Sequence, residues 1–143
     1  MKRSRPSRDR GFTLIEVLLV LVILVVLASM AVMAYGPMRK QALINAAKTQ
    51  VGMFKELVDA YETNEVGSPP STASGLQALR TKPGDLPDPS KWHGPYIDKE
   101  IPLDPWGKAY QYSCPGAHNP EGFDVWTVAP DGQMIGNWSE ERH

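Results

Sequence analysis

Arg10-Gly11-Phe12-Thr13-Leu14-Ile15-Glu16 runs straight into Val17-Leu18-Leu19-Val20-Leu21-Val22-Ile23-Leu24-Val25-Val26-Leu27, and this stretch decides the architecture. From Val17 to Met38 no residue is charged. As a helix those 22 residues span roughly 33 Å, matching a hydrocarbon core of about 30 Å. A soluble core helix apolar on every face would be unusual in a chain of 143 residues. The run therefore reads as one membrane span. A cleaved secretory signal would have a shorter apolar region, about 7–15 residues, and Ala28-Ser29-Met30-Ala31 makes only a poor cleavage site.

The overall charge of −1 averages two opposite regions. Residues 1–11 carry Lys2, Arg3, Arg5, Arg8 and Arg10 against Asp9, a net of +4, and residues 12–143 carry a net of −5. A basic segment ahead of an apolar run stays cytoplasmic by the positive-inside rule, which puts the C-terminal part across the membrane. Nucleic acid is a poor partner for it, since no aromatic side chain lies among the charges. Cys114 is the single cysteine, so neither an internal disulfide nor a cysteine metal site can form.

Glu16 is the exception at the head of the apolar run. A carboxylate there costs about 3 kcal/mol on insertion scales and needs a partner. One reading is local: Thr13-x-x-Glu16 has capping-box spacing, and a carboxylate suits a helix N-terminus. That reading leaves Arg10-Gly11-Phe12 unexplained, where a small residue stands between charge and apolar bulk. The whole motif, Arg10 to Glu16, resembles the type III signal of type IV prepilins and pseudopilins. The resemblance implies cleavage between Gly11 and Phe12 by a membrane prepilin peptidase and N-methylation of the new Phe12 amine. It also implies pairing of the Glu16 carboxylate with the N-terminal amine of a neighbouring subunit during assembly. An ammonium would neutralise an otherwise isolated carboxylate in the bilayer.

After Arg39 the pattern becomes amphipathic: Leu43, Ala46, Ala47, Val51, Phe54, Leu57, Val58 and Tyr61 recur at steps of three and four. Gly36-Pro37 predicts a kink or local break, and two separate helices joined there are the alternative to one helix of roughly 75 Å. Residues 64–143 hold eleven of the thirteen prolines, so much of this part reads as loop. One short helix is expected over Ser74–Leu79, entered through Thr72 or Ser74 as N-cap. Strands are expected at Ala109–Cys114, Phe123–Ala129 and near Met134–Trp138. The fold class is α+β: a type IV pilin-like lollipop whose long helix carries a small antiparallel sheet of about three strands. Its parts are a leader (1–11), a transmembrane and filament-core helix (12–38), the amphipathic continuation (39–63) and a periplasmic head (64–143).

The head extends the resemblance. Gly75-Leu76-Gln77-Ala78-Leu79, Gly94-Pro95-Tyr96, Asp104-Pro105-Trp106-Gly107, Tyr110-x-Tyr112, Pro115-Gly116, Phe123-Asp124, Pro130-Asp131-Gly132 and Gly136-Asn137-Trp138 follow the order found in major pseudopilins of type II secretion systems. This implies a filament of self-assembled subunits anchored first in the bacterial inner membrane and then built into a periplasmic pseudopilus. Its partners would be minor pseudopilins, an inner-membrane secretion platform and the prepilin peptidase, and its work the export of folded proteins through the outer membrane. A type IV pilin, a minor pseudopilin and a membrane-tethered periplasmic binding module are the other readings. The family also implies a calcium ion held by an acid-bearing loop after the Asp-Gly turn. Here Asp131-Gly132 is followed only by Gln133-Met134, so Asp131 is left as the one acid of that loop. Calcium needs about six to eight oxygens, and Asp131 reads better as an ordinary turn residue, leaving the metal absent or its site rebuilt.

Nothing points to catalysis. His93, His118 and His143 lack ligand spacing, and phosphate loops, zinc-protease motifs and nucleophile elbows are missing from the sequence. Trp92, Trp106, Trp126 and Trp138 suggest either core or an aromatic binding surface, with core favoured because large aromatics dominate burial.

Overall fold

A computed structural model of the chain describes residues 11–64 and 67–139. The basic leader residues and His143 lie outside that range. Helix α1 runs Leu14–Asn64, followed by 3-10 turns at Gly75–Leu79 and Pro89–Lys91 and by strands β1 Gln111–Ser113, β2 Asp124–Val128 and β3 Met134–Gly136. The chain divides into two compact units between Lys40 and Gln41.

The first unit is helix without a core. Every side chain from Gly11 to Lys40 is exposed, including the whole apolar run. Among the described residues this is the one helix long and apolar enough to cross a membrane. The Ser29 hydroxyl donates to the carbonyl of Val26 at 2.7 Å, so the polar side chain in mid-run leaves no unsatisfied donor. Helix α1 continues through Pro37, so the alternative of two separate helices joined at Gly36-Pro37 does not occur. A proline withdraws one N–H from the ladder, and a helix with intact turns on both sides survives that loss.

In the second unit the distal part of α1 meets the sheet. Its buried residues are Ile44, Ala47, Val51, Phe54, Val58 and Tyr61. They alternate steps of three and four, a narrow seam on one face. The expected stripe is thus shifted at its start. Ile44 is buried, Leu43 half-buried and Ala46 exposed. Leu43 and Ile44 are equally apolar neighbours, and the phase that completes the seam with Ala47 and Val51 wins.

The sheet has order β1-β2-β3, with both pairs antiparallel. Tyr112 stands opposite Val125 and Thr127 opposite Ile135, and this row faces the helix. Phe54 meets Tyr110 edge-on at 5.0 Å between ring centroids. Tyr110 also donates its hydroxyl to Oε1 of Gln50 on α1. Burial, then the Asp104 carboxylate, pushes the Tyr110 phenol up to about 12. The Tyr112 hydroxyl donates to the carbonyl of Pro70 at 2.8 Å, closing the loop after α1 over the sheet edge.

Two carboxylates organise the loops. Asp104 is buried, and its Oδ1 accepts from the N–H groups of Trp106 at 3.0 Å and Lys108 at 2.7 Å. Its Oδ2 accepts from the Thr127 hydroxyl on β2. The Asp104-Pro105-Trp106-Gly107 turn is thereby fastened to the central strand. Asp124, on the outward side of β2, is only 1% exposed because the loop 116–122 folds back over it. Its oxygens accept from the backbone N–H of His118 (2.7 Å) and Asn119 (3.1 Å) and from Nδ2 of Asn119 (2.8 Å).

Neither expected N-cap acts as one. Ser74 holds the N-cap position of the Gly75–Leu79 turn without a side-chain cap bond, and its hydroxyl donates to Asp85 instead. Thr72 exchanges two 2.9 Å bonds with the backbone of Cys114 beyond β1. Both side chains are taken by distant partners, and the segment they precede is a 3-10 turn rather than an α-helix. The tryptophans are divided. Trp92 and Trp106 pack partly against the core, with Nε1 of Trp92 donating to the Ala78 carbonyl at 3.2 Å. Trp126 and Trp138 lie 6.3 Å apart on the opposite side of the sheet.

Candidate functional site

The junction Gly11–Glu16 carries the chemistry that the sequence singles out. Gly11, Phe12 and Thr13 precede the first turn of α1. Phe12 is 89% exposed. A Cβ added at Gly11 would meet no atom within 4 Å, so nothing inside the described chain requires glycine there. The requirement, where one exists, comes from a partner that approaches the backbone.

Thr13 and Glu16 satisfy each other. The Thr13 N–H donates to Oε2 of Glu16 at 3.2 Å, and the Glu16 N–H donates to Oγ1 of Thr13 at 3.4 Å. The Thr13 carbonyl accepts from the N–H groups of Glu16 (3.1 Å) and Val17 (3.3 Å), starting the helical ladder. This is the reciprocal capping box anticipated from the spacing. The carboxylate also sits at the positive end of the helix dipole. It is exposed and has room to take a cationic partner besides the Thr13 N–H. Chemically the junction offers an open peptide bond after Gly11, an exposed aromatic at the next position, and an anion four residues further on.

Asp131 lies elsewhere, in the β2–β3 turn. The Ala129 N–H donates to the Gln133 carbonyl at 2.9 Å, and the Gly132 N–H donates to the Ala129 carbonyl at 2.9 Å. Oδ1 of Asp131 accepts from the Gln133 N–H at 3.1 Å. Gly132 takes φ of 87°, the left-handed region that glycine enters without strain. Among the described residues there is no group of three or more His, Cys, Asp or Glu side chains that could hold a metal ion. A calcium ion with several carboxylate ligands does not fit this turn.

Sequence reasoning missed the roles of Asp104, Asp124 and Asn137. The Asn137 side chain accepts from the Val125 N–H at 3.0 Å and donates to the Phe123 carbonyl at 2.9 Å. The motif blocks containing these residues were visible, but Thr127 lies 23 residues from Asp104, Val125 lies 12 from Asn137, and the Asp124 partners His118 and Asn119 are brought to it by the loop between them.

The exposed apolar stem and capped acid define a class of membrane-anchored subunits, and the family model described as the prokaryotic N-terminal methylation motif matches residues 6–32. The model described as type II secretion system (T2SS), protein G matches residues 35–141. The chain is 38% identical over 136 residues to the type II secretion system core protein G of Pseudomonas aeruginosa, covering 90% of this chain and 94% of that one. It is 38% identical over 148 residues to the core protein G of Vibrio cholerae, covering 97% of each. The crystal structure of the major pseudopilin from the type 2 secretion system of enterohaemorrhagic Escherichia coli superposes with a TM-score of 0.61 at 30% identity, over 73% of this chain and 93% of that one. The chain belongs to the protein G family of type II secretion systems, the major pseudopilins.

Proposed function

We propose that this chain is the major structural subunit of a type II secretion pseudopilus, cut after Gly11 and polymerised through its N-terminal helix to drive export of folded proteins. The observation that carries the reading is the Gly11–Glu16 junction: open glycine backbone, exposed Phe12 and a capped Glu16 at the head of a wholly exposed apolar helix. An apolar stem without a core of its own needs lipid before assembly and other stems after it. Copies stacked by one repeated, non-closing contact make a filament rather than a ring. The new Phe12 ammonium of one subunit then meets the Glu16 carboxylate of the next, replacing water lost on both sides. The subunit is structural and performs no catalysis. Prepilin peptidase, minor pseudopilins and the inner-membrane platform are its partners, with the N-terminus cytoplasmic and the head periplasmic.

Intact mass of the protein from a native membrane tests the reading. The expected mass is that of residues 12–143 plus one methyl group. A full-length mass, with the peptidase active on another substrate, would overturn processing and favour a permanent tether.

A further inference from the structure

The outer side of the sheet is closed by contacts that the pseudopilin role does not use. Asp124 starts β2 and gathers the backbone N–H groups of His118 and Asn119. Gly116 lies so close that a Cβ there would overlap the Asp124 carboxylate. His118 Nδ1 is 3.1 Å from Oδ2 of Asp124, and its ring lies on Trp138 with centroids 3.7 Å apart and planes 7° from parallel. Trp138 in turn covers Gly136 at the end of β3, where a Cβ would overlap the indole. Asn137 closes the circuit: its side chain bonds both the Val125 N–H and the Phe123 carbonyl, and its own N–H donates to the Val125 carbonyl at 3.1 Å. Protein groups thus tie the chain after β3 to β2 and to the loop before it.

We infer that the head of this chain holds its β2–β3 hairpin and C-terminal segment without a divalent cation, the cross-tie being made by Asp124, Asn137 and the His118–Trp138 stack. Three observations carry this. The Asp131 carboxylate accepts the Gln133 N–H inside a tight turn, and among the described residues no group of three carboxylate, histidine or cysteine side chains forms around it. Asp124 is buried, with both oxygens already accepting N–H groups. Glu121, on the loop over Asp124, is exposed and belongs to no metal-competent cluster among the described residues. A carboxylate saturated by N–H donors serves the purpose of a bridging ion, since each bond joins segments distant in sequence.

The test uses the full chain, residues 1–143, in detergent micelles. All four tryptophans lie in the head, so near-ultraviolet dichroism of indole reads head unfolding alone. Melting curves in EGTA and in excess calcium are expected to coincide within about 2 °C, whereas a bound ion at a hundred times its dissociation constant would raise the midpoint by far more. A larger upward shift in calcium overturns the inference. Calorimetric titration with calcium needs no variant and should show no saturable binding, and one ion bound per chain overturns it equally. Asn137→Ala should lower the midpoint by at least about 4 °C in both buffers. An unchanged midpoint would remove Asn137 from the cross-tie, and rescue of that variant by calcium would reinstate the metal. None of these readouts depends on cleavage or filament growth, so their failure is distinguishable from failure of the proposed function.

Discussion

Asp104 and Thr127 are bonded to each other inside the head, carboxylate to hydroxyl, with both residues buried. The contact joins the Asp-Pro-Trp-Gly turn to the middle strand. Thr127→Val keeps the shape and strands one carboxylate oxygen. It should cost about 1–3 kcal/mol, read as a lower urea midpoint with an unchanged slope. An unchanged midpoint would mean that the turn does not depend on the strand for its stability.

Phe54 is fully buried on the seam of α1 and touches Tyr110. Phe54→Ala should destabilise the head by about 3–5 kcal/mol. Met53, its neighbour in sequence, is exposed, and Met53→Ala should stay within about 0.5 kcal/mol. Equal effects in chemical denaturation would contradict the observed phase of the helix.

The Asp124 carboxyl is pushed up by burial and pulled down more strongly by the His118 and Asn119 hydrogen bonds, ending below its ordinary value. A depressed folded-state value stabilises the fold above the unfolded carboxyl pKa of about 3.9, and that contribution is lost as pH falls through the folded value. Acid unfolding should therefore steepen below about pH 4. Asp124→Asn should flatten that limb while lowering stability at neutral pH, and tryptophan dichroism against pH reads both.

Tyr110 gives the opposite limb. Its phenol is raised to about 12, so its share of stability is complete below about pH 10 and disappears as pH rises through the folded value. Tyr110→Phe should shrink the alkaline loss between about pH 10 and 12. It should also weaken the neutral fold by about 1 kcal/mol through loss of the bond to Gln50. An alkaline limb identical in both chains would place the titration elsewhere.

Glu16→Gln keeps an oxygen for the Thr13 N–H and removes the charge. Cleavage should continue, seen as an unchanged processed mass, while filament yield falls at least tenfold in sheared fractions. Gly11→Leu should do the reverse, leaving the full-length mass. Normal filaments from Glu16→Gln would show that the carboxylate acts only as a cap.

The long apolar helix was legible because composition determines it: 22 uncharged residues in a row have few other fates. The capping box was legible because its partners are three residues apart. All three strands were anticipated, the first two trimmed at both ends and the third at its C-terminal end. The seam's first step was ambiguous, since Leu43-Ile44 and Ala46-Ala47 are paired apolar residues whose phase only the sheet resolves. Asp124 was illegible for a different reason. By strand alternation it points outward, and the loop that buries it is itself held by the carboxylate it covers. Thr72 and Ser74 looked like caps because cap chemistry is local, yet their partners Cys114 and Asp85 are brought near only by the fold.

The outer strands β1 and β3 are each three residues long. Ladders that brief expose too few backbone donors and acceptors to template another sheet. Heads brought together at high density are thereby kept from zipping edge to edge into β-aggregates. In the proposed filament, order is left to contacts between the apolar helices, made by side-chain packing rather than by strand pairing.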